Sequence, residues 1–189
     1  MIELQDILLK EGEVVTVANG VKLIGSKPNG SRPSAITIRA ESGEIEIANF
    51  AEMRFSPEAA GLVPICEVAI WKGHAFIVGL PAVVIAGGGA PLKCDLFRRI
   101  GEDAGFYKTE WVEAGQRIFC IYESGIAAWN EGGQELWHIR KSWDDVFMSA
   151  EADRLVLVRH DGQRILIDPS DGSQDPPRFA VFNPAWLSL

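Results

Sequence analysis

A tryptophan set among charged residues is the position in this chain whose type and setting best suit ligand contact. Trp143 lies within the charged segment 140–145. A large aromatic side chain offers an apolar surface and an indole N–H donor, which suits contact with a partner. Four other tryptophans fall within predicted strands, where packing in a β-core is the expected role: Trp71, Trp111, Trp129 and Trp137.

Short carboxylates gather in two places. Asp144 and Asp145, with Glu151 and Asp153 nearby, could supply a general acid and a general base, although neighbouring loop acids more often only face water. The segment 168–175 carries several aspartates, and oxygen-rich loops bind calcium. Its spacing is not that of an EF-hand, and aspartate and glycine also form turns. The sequence favours solvated acids in the first cluster and turn formers in the second.

Motifs for phosphate, zinc or acyl-transfer chemistry are incomplete. The segment 25–32 has the glycine spacing of a phosphate-binding loop, but Pro33 follows it and the expected Lys-Ser/Thr pair is missing. Histidines 74, 138 and 160 do not have a zinc-ligand spacing. No Gly-x-Ser-x-Gly elbow is present. The sequence therefore predicts neither a cofactor nor a metal.

Composition narrows the classes of partner. The chain has 189 residues, of which 47% are hydrophobic and 23% charged, and its formal net charge is −8. These proportions are typical of a globular protein. The acidity argues against binding to nucleic acid, which needs a basic surface, and against docking on anionic membranes. Without the marks of a signal peptide or a membrane helix, the chain is predicted to be cytoplasmic.

The three cysteines, at 66, 94 and 120, are odd in number and form no Cys-x-x-Cys pair. Each lies in an apolar or mixed strand-like segment. Buried, reduced thiols are therefore expected, because disulfides and zinc sites need paired cysteines or ligand clusters.

The elements that would position these residues are β-strands. Alternating and β-branched segments predict sixteen strands between residues 14 and 183. Turn centres at 43, 81, 125 and 162 are separated by 38, 44 and 37 residues. A period near 40 indicates a repeated supersecondary unit, and the turns divide the strands into four groups of four. Asp161-Gly162 is the strongest turn signal, and Leu80-Pro81 is the weakest because proline cannot take a positive φ.

Two segments allow more than one interpretation of the secondary structure and the domain boundaries. Residues 2–11 can form a short amphipathic helix or a closing strand. The segment 55–64 is the best candidate linker, and 56–60 within it could begin a turn of helix with Pro57 at its first position. We expect a single β-repeat domain over 1–189, with 55–64 as the alternative sub-boundary.

The repeat resembles a β-propeller blade, which has four strands. The segment 160–173 is similar to the strand–turn–strand pattern of quinoprotein-like and WD-repeat-like blades. Gly73-His74 and Trp143-Asp144 lie too far apart to form the WD-repeat pair of one blade. The resemblance implies an all-β fold of antiparallel sheets in about four four-stranded repeats, as a small or partial propeller. The alternative is a β-sandwich or barrel.

The resemblance also implies a binding face. In such folds, the turns between second and third strands share a face with the connectors between blades. The residues expected there are Arg98, Arg99, Glu123, Arg140, Lys141, Trp143, Asp144, His160 and Asp161.

This face is mixed in charge and has one aromatic residue, which suits a polar partner. The leading hypothesis is an intracellular binding module for a protein, a peptide or a polar small molecule, with Trp143 as its anchor. One alternative is an enzyme that acts on a sugar or similar polar metabolite through loop carboxylates. Another is a structural subunit of a homo-oligomer.

Overall fold

A computed structural model describes residues 1–26, 35–58, 60–80, 82–87, 90–96, 109–151 and 153–175. The fold is all-β, with four antiparallel sheets of four to six strands, as the sequence predicted. The chain divides into two compact units, Met1–Arg99 and Ile100–Leu189. Whether they act as one domain stays a prediction, so each unit is described by itself.

The first unit contains the first two sheets. Sheet 1 has the order β2-β3-β4-β5, and sheet 2 has the order β1-β7-β8-β9-β10, with β6 also paired to β7. A 3-10 helix at Ala18–Gly20 joins β2 to β3. The strands are β1 (Glu3–Leu8), β2 (Val14–Thr16), β3 (Lys22–Ser26), β4 (Ala35–Ala40), β5 (Gly43–Ala48), β6 (Glu52–Ser56), β7 (Gly61–Trp71), β8 (His74–Val78), β9 (Ala82–Gly87) and β10 (Ala90–Leu96).

The long strand β7 explains why sheet 2 exceeds the predicted four strands. Ile65 is paired with Leu8 of β1 and also with Glu52 of β6, so these two strands lie on opposite edges of β7. Of the two expectations for residues 2–11, the strand is correct and the helix is wrong. The segment 55–64, predicted as a linker, belongs instead to the β6–β7 hairpin, with a hydrogen-bonded turn from Pro57 to Ala60.

An arginine from β6 links the added strands. Arg54 Nη1 lies 3.3 Å from Asp6 Oδ1, and Nη2 lies 3.5 Å from Glu67 Oε2. Asp6 and Glu67 are direct cross-strand partners, and Glu67 is only 1% exposed. Because two like charges opposite each other destabilise a sheet, the guanidinium between them stabilises this pairing.

Sheets 1 and 2 share an apolar core. Alternation places one side chain in two on each face of a strand, and both sheets contribute their apolar faces to one cluster. The members that are at most 1% exposed include Leu23, Ile36 and Ile38 from sheet 1 and Val68, Ile77 and Val84 from sheet 2.

The second unit contains the other two sheets, each a simple antiparallel meander. Their orders are β11-β12-β13-β14 (sheet 3) and β15-β16-β17-β18 (sheet 4). The strand predicted over 178–183 lies outside the described residues, and β18 is placed earlier. The strands are β11 (Glu110–Ala114), β12 (Arg117–Tyr122), β13 (Gly125–Asn130), β14 (Glu135–Arg140), β15 (Val146–Glu151), β16 (Arg154–Val158), β17 (Arg164–Ile167) and β18 (Gln174–Asp175).

The core of the second unit lies between one face of sheet 3 and one face of sheet 4. Trp137 is 1% exposed, and its indole N–H donates to the carbonyl of Pro169 at 3.0 Å. Its ring lies over Gly172, where an added Cβ would be 2.8 Å from Cδ2. The other core members are Phe119, Ile121, Ile126, Ala128, Ile139, Leu155, Leu157, Ile165 and Ile167.

The evenly spaced turns are not all equivalent. The turns near 81, 125 and 162 connect β8 to β9, β12 to β13, and β16 to β17, which are the second and third strands of each repeat. The turn near 43 instead connects β4 to β5, the third and fourth strands of sheet 1. Its step of 38 residues is therefore a coincidence of loop lengths. Four groups of strands exist, but this turn does not mark the same point of its group.

Of two turn glycines, Gly162 has the role that the turn signal predicted, and Gly125 has a different one. Gly162 has a φ of +83°, as a turn residue requires. Gly125 is already the first residue of β13, and an added Cβ would contact the Tyr122 hydroxyl and lie 2.7 Å from the carbonyl oxygen of Ile139. Glycine at 125 is therefore required by close packing.

Most of the strand tryptophans and cysteines are buried, as the sequence predicted. Trp71, Trp129 and Trp137 are at most 1% exposed, and Trp111 is half-buried and stacked on Trp129 with ring centroids 6.2 Å apart. All three cysteines are thiols; Cys66 and Cys120 are buried and Cys94 is half-buried.

Candidate functional site

Trp143 lies at the tip of a tight turn between β14 and β15 and is 62% exposed. The amide of Asp145 donates to the carbonyl of Ser142 at 3.1 Å. In return, the amide of Ser142 donates to Asp145 Oδ2, also at 3.1 Å. Asp145 is only 3% exposed. The turn therefore has a fixed backbone on which a large apolar side chain faces solvent.

Lys141 stabilises this turn through hydrogen bonds. Its ammonium donates to the carbonyls of Ser142 at 3.1 Å and Asp145 at 2.9 Å. Its amide donates to the carbonyl of Ser124 at 2.9 Å, which joins the connector to the β12–β13 turn. Lys141 was predicted as a binding residue, which stays a prediction; its contacts within the chain hold the turn that carries Trp143.

Asp144 connects the turn to the next hairpin. Its Oδ2 lies 2.9 Å from Nδ1 of His160, which belongs to the loop between β16 and β17. A hydrogen bond from the Ser142 side chain, with His160 contributing, holds the pKa of Asp144 below its usual value. The connector and the hairpin tip therefore meet, as the resemblance to propeller blades implied. Trp143, Asp144, His160 and Asp161 are called the Trp143 surface below.

Asp161 completes this surface. Its Oδ1 accepts from the amide of Gln163 at 2.9 Å, and its Oδ2 lies 3.9 Å from Arg159. These contacts, with the backbone hydrogen bond first, lower the pKa of the Asp161 carboxyl. Both carboxylates of the Trp143 surface, the half-buried Asp144 and the exposed Asp161, are therefore stabilised in their charged form.

The remaining predicted residues take different positions. Arg140, at the end of β14, is exposed, whereas Glu123 is only 7% exposed. Arg98 and Arg99 lie outside the described residues. The predicted set thus includes surface residues, a buried acid and a positioning lysine, and its role in binding stays a prediction.

The acid pairs do not resemble a catalytic dyad. Asp145 is bonded to its own turn, Glu151 faces Arg164, and Asp153 is paired with Arg154. A glycosidase acid needs a raised pKa, whereas the pKa values of Asp144 and Asp153 are lowered. This arrangement favours solvated and structural roles for these acids.

Asp168 and Asp171 form hydrogen bonds within their own loop. Asp168 Oδ1 accepts from the amide of Ser170 at 2.7 Å and from its hydroxyl. Asp171 Oδ1 accepts from the amide of Ser173 at 2.8 Å. These are Asx turns, in which the side chain takes the place of a backbone acceptor. Within the described ranges, no three histidine, cysteine, aspartate or glutamate side chains are grouped as metal ligands.

A part-buried histidine–tyrosine pair was missed by the sequence reading. The Tyr122 hydroxyl is hydrogen-bonded to Nε2 of His138 across sheet 3. Burial, and secondarily the charge of Arg140, lower the pKa of His138 to about 4. The two residues are 16 positions apart and only the register of three strands brings them together, so no local pattern could have indicated the pair.

Comparison with known proteins does not assign this arrangement to a family. No protein-family model matches the chain, and no curated protein matches it either. Over the part of the chain that the structure describes, no helix is long and apolar enough to cross a membrane.

Proposed function

We propose that this protein is a binding module that captures a peptide or protein partner through the Trp143 surface. The observation that carries the proposal is the exposure of a tryptophan on a turn whose backbone is fixed by hydrogen bonds. Tryptophan is enriched among the residues that dominate binding energy. A fixed turn also reduces the entropy lost on binding, because the contact geometry exists beforehand.

The neighbouring charges support a polar partner. Asp144 and Asp161 carry negative charge, and His160 is 68% exposed beside them. Arg140 adds an exposed positive charge at the end of β14. A partner that places an apolar group on the indole and hydrogen-bonding groups around it would match this mixture.

Catalysis on a sugar is less well supported at this surface. The lowered pKa of Asp144 and of Asp161 leaves neither carboxyl suited to donate a proton near neutral pH. The contacts described above favour recognition over proton transfer.

The test replaces the exposed indole. A peptide-display library is selected against the full chain, and the affinity of selected peptides is measured for Trp143→Ala. Because an anchor residue at the centre of an interface contributes about 2 kcal/mol or more, the affinity should fall by about 30-fold or more. Thermal unfolding should stay unchanged, since the side chain is exposed.

Phe55→Ala is the matched control, because Phe55, which lies on β6, is also a large aromatic residue and is 70% exposed. This variant should bind the selected peptides like the wild type. Peptides that bind Trp143→Ala with unchanged affinity would contradict the proposal. A large loss of stability in Trp143→Ala would identify Trp143 as a structural residue instead.

A further inference from the structure

A cavity of about 360 Å³ lies on the outer face of sheet 4, opposite to the core of the second unit. Its lining residues are Glu151, Arg154, Arg164, Leu166 and Asp175. Glu151 is the cross-strand partner of Arg154, and Leu166 that of Asp175, so paired side chains share this face. The volume is at the lower end of the range for small-molecule sites.

The two arginines of the cavity differ in how fully they are engaged. Arg154 donates from Nε to Asp153 Oδ1 at 3.2 Å and from Nη2 to Asp153 Oδ2 at 2.8 Å. Arg164 Nη2 lies 3.6 Å from Glu151 Oε1, which is too long for a hydrogen bond, and its side chain is 62% exposed. Arg164 therefore keeps guanidinium donors that a ligand could use.

Asp175 supplies the opposite charge. Within the described ranges its carboxylate takes part in no ion pair and accepts no hydrogen bond. The lining as a whole carries two positive and two negative side chains. A ligand with a single charge would meet as much repulsion as attraction there, whereas a ligand with both charges can pair with each sign.

We propose that this cavity is a second binding site, for a small dipolar molecule of dipeptide size. Its carboxylate would accept from the guanidinium of Arg164, and its ammonium would donate to Asp175. Binding would break only the long, exposed ion pair between Glu151 and Arg164. The free energy lost with that pair is small. Leu166 provides the apolar floor between the two charged groups. This site is independent of the Trp143 surface.

The experiment is a titration of the full chain with glycylglycine, followed by the backbone amide NMR signals of the lining residues. Saturable shifts are expected. N-acetylglycylglycine lacks the ammonium and glycylglycinamide lacks the carboxylate, so each should bind about tenfold more weakly. Arg164→Gln and Asp175→Asn should weaken binding of glycylglycine by the same factor.

Two controls separate this site from other effects. Arg39→Gln removes an arginine that is likewise exposed and ion-paired, to Glu44 on sheet 1, and it should leave the affinity unchanged. Trp143→Ala should also leave it unchanged. Absence of saturable shifts, or shifts that Arg164→Gln and Asp175→Asn both leave intact, would overturn the proposal. Sensitivity to Arg164→Gln alone would overturn the dipolar class, because it would indicate a simple anion site.

Discussion

His138 has a fold-dependent affinity for protons. Its pKa is lowered to about 4, first by burial and then by the charge of Arg140. In an unfolded chain the imidazole regains a pKa near its ordinary 6.5. The folded state therefore favours the neutral ring, whose Nε2 is hydrogen-bonded to the Tyr122 hydroxyl.

This shift makes stability depend on pH. Above about pH 6.5 the ring is neutral in both states, so it contributes no pH dependence. Between about pH 6.5 and 4 only the unfolded chain gains the proton, and stability falls as the pH falls, by about 3 kcal/mol in total. Urea denaturation of the wild type and of His138→Gln at several pH values measures this. His138→Gln should lose that part of the slope; equal slopes would contradict the assignment.

The element that matters most for the proposed function is the turn from Ser142 to Asp145. The Asp145 carboxylate and the Lys141 ammonium fix its backbone, while Trp143 is exposed and the half-buried Asp144 is paired with His160. The tryptophan is therefore placed by residues that bond the turn from within the chain. Loss of those contacts should affect both stability and binding.

Asp145→Ala should destabilise the protein by about 1.5–3 kcal/mol, because the part-buried Ser142 amide loses a charged acceptor. It should also speed hydrogen exchange of the amides in 142–145. Asp145→Asn keeps an acceptor oxygen and should recover most of the stability. Asp144→Ala is the control from the same turn: its carboxylate is half-buried and paired with the exposed His160 rather than with the Ser142 amide, so its loss should cost less. Equal effects of the two alanine variants would show that Asp145 does not fix the turn.

At the scale of the whole molecule, charge limits the choice of partners. The net charge of −8 and a sequence pI near 4.9 make the surface acidic on average. Cationic side chains such as Arg54 and Arg154 are already paired with carboxylates. A polyanion would therefore find few unpaired cations among the described residues.

We expect no binding to duplex DNA, even at low salt, where electrostatic attraction is strongest. Mobility-shift or fluorescence-anisotropy titration at low ionic strength measures this. A binding constant whose logarithm falls linearly with the logarithm of salt concentration would contradict the prediction. It would indicate a basic surface that the net charge does not show.

Local pattern alone predicted much of the strand content. β12 and β13 span Arg117–Tyr122 and Gly125–Asn130, as alternation indicated. The early half of β7 was missed because Gly61 and Pro64 read as strand breakers. Proline is tolerated where its missing N–H is not required. The contrast between buried strand tryptophans and the exposed Trp143 also followed from sequence context.

Which strands pair, and which loops meet, was decided only by the tertiary structure. A period-two pattern indicates that one face of a strand is apolar and the other polar. It does not show which other strand pairs with it. β1 and β6 could therefore be placed on β7 only from the folded chain, and the turn near 43 was assigned to the wrong point of its repeat. The contact between Asp144 and His160 was implied by a resemblance, whereas that between Tyr122 and His138 had no signal at all. The first contact continues the register of one strand pair, β15 and β16, whereas the second depends on the register of three strands, β12, β13 and β14.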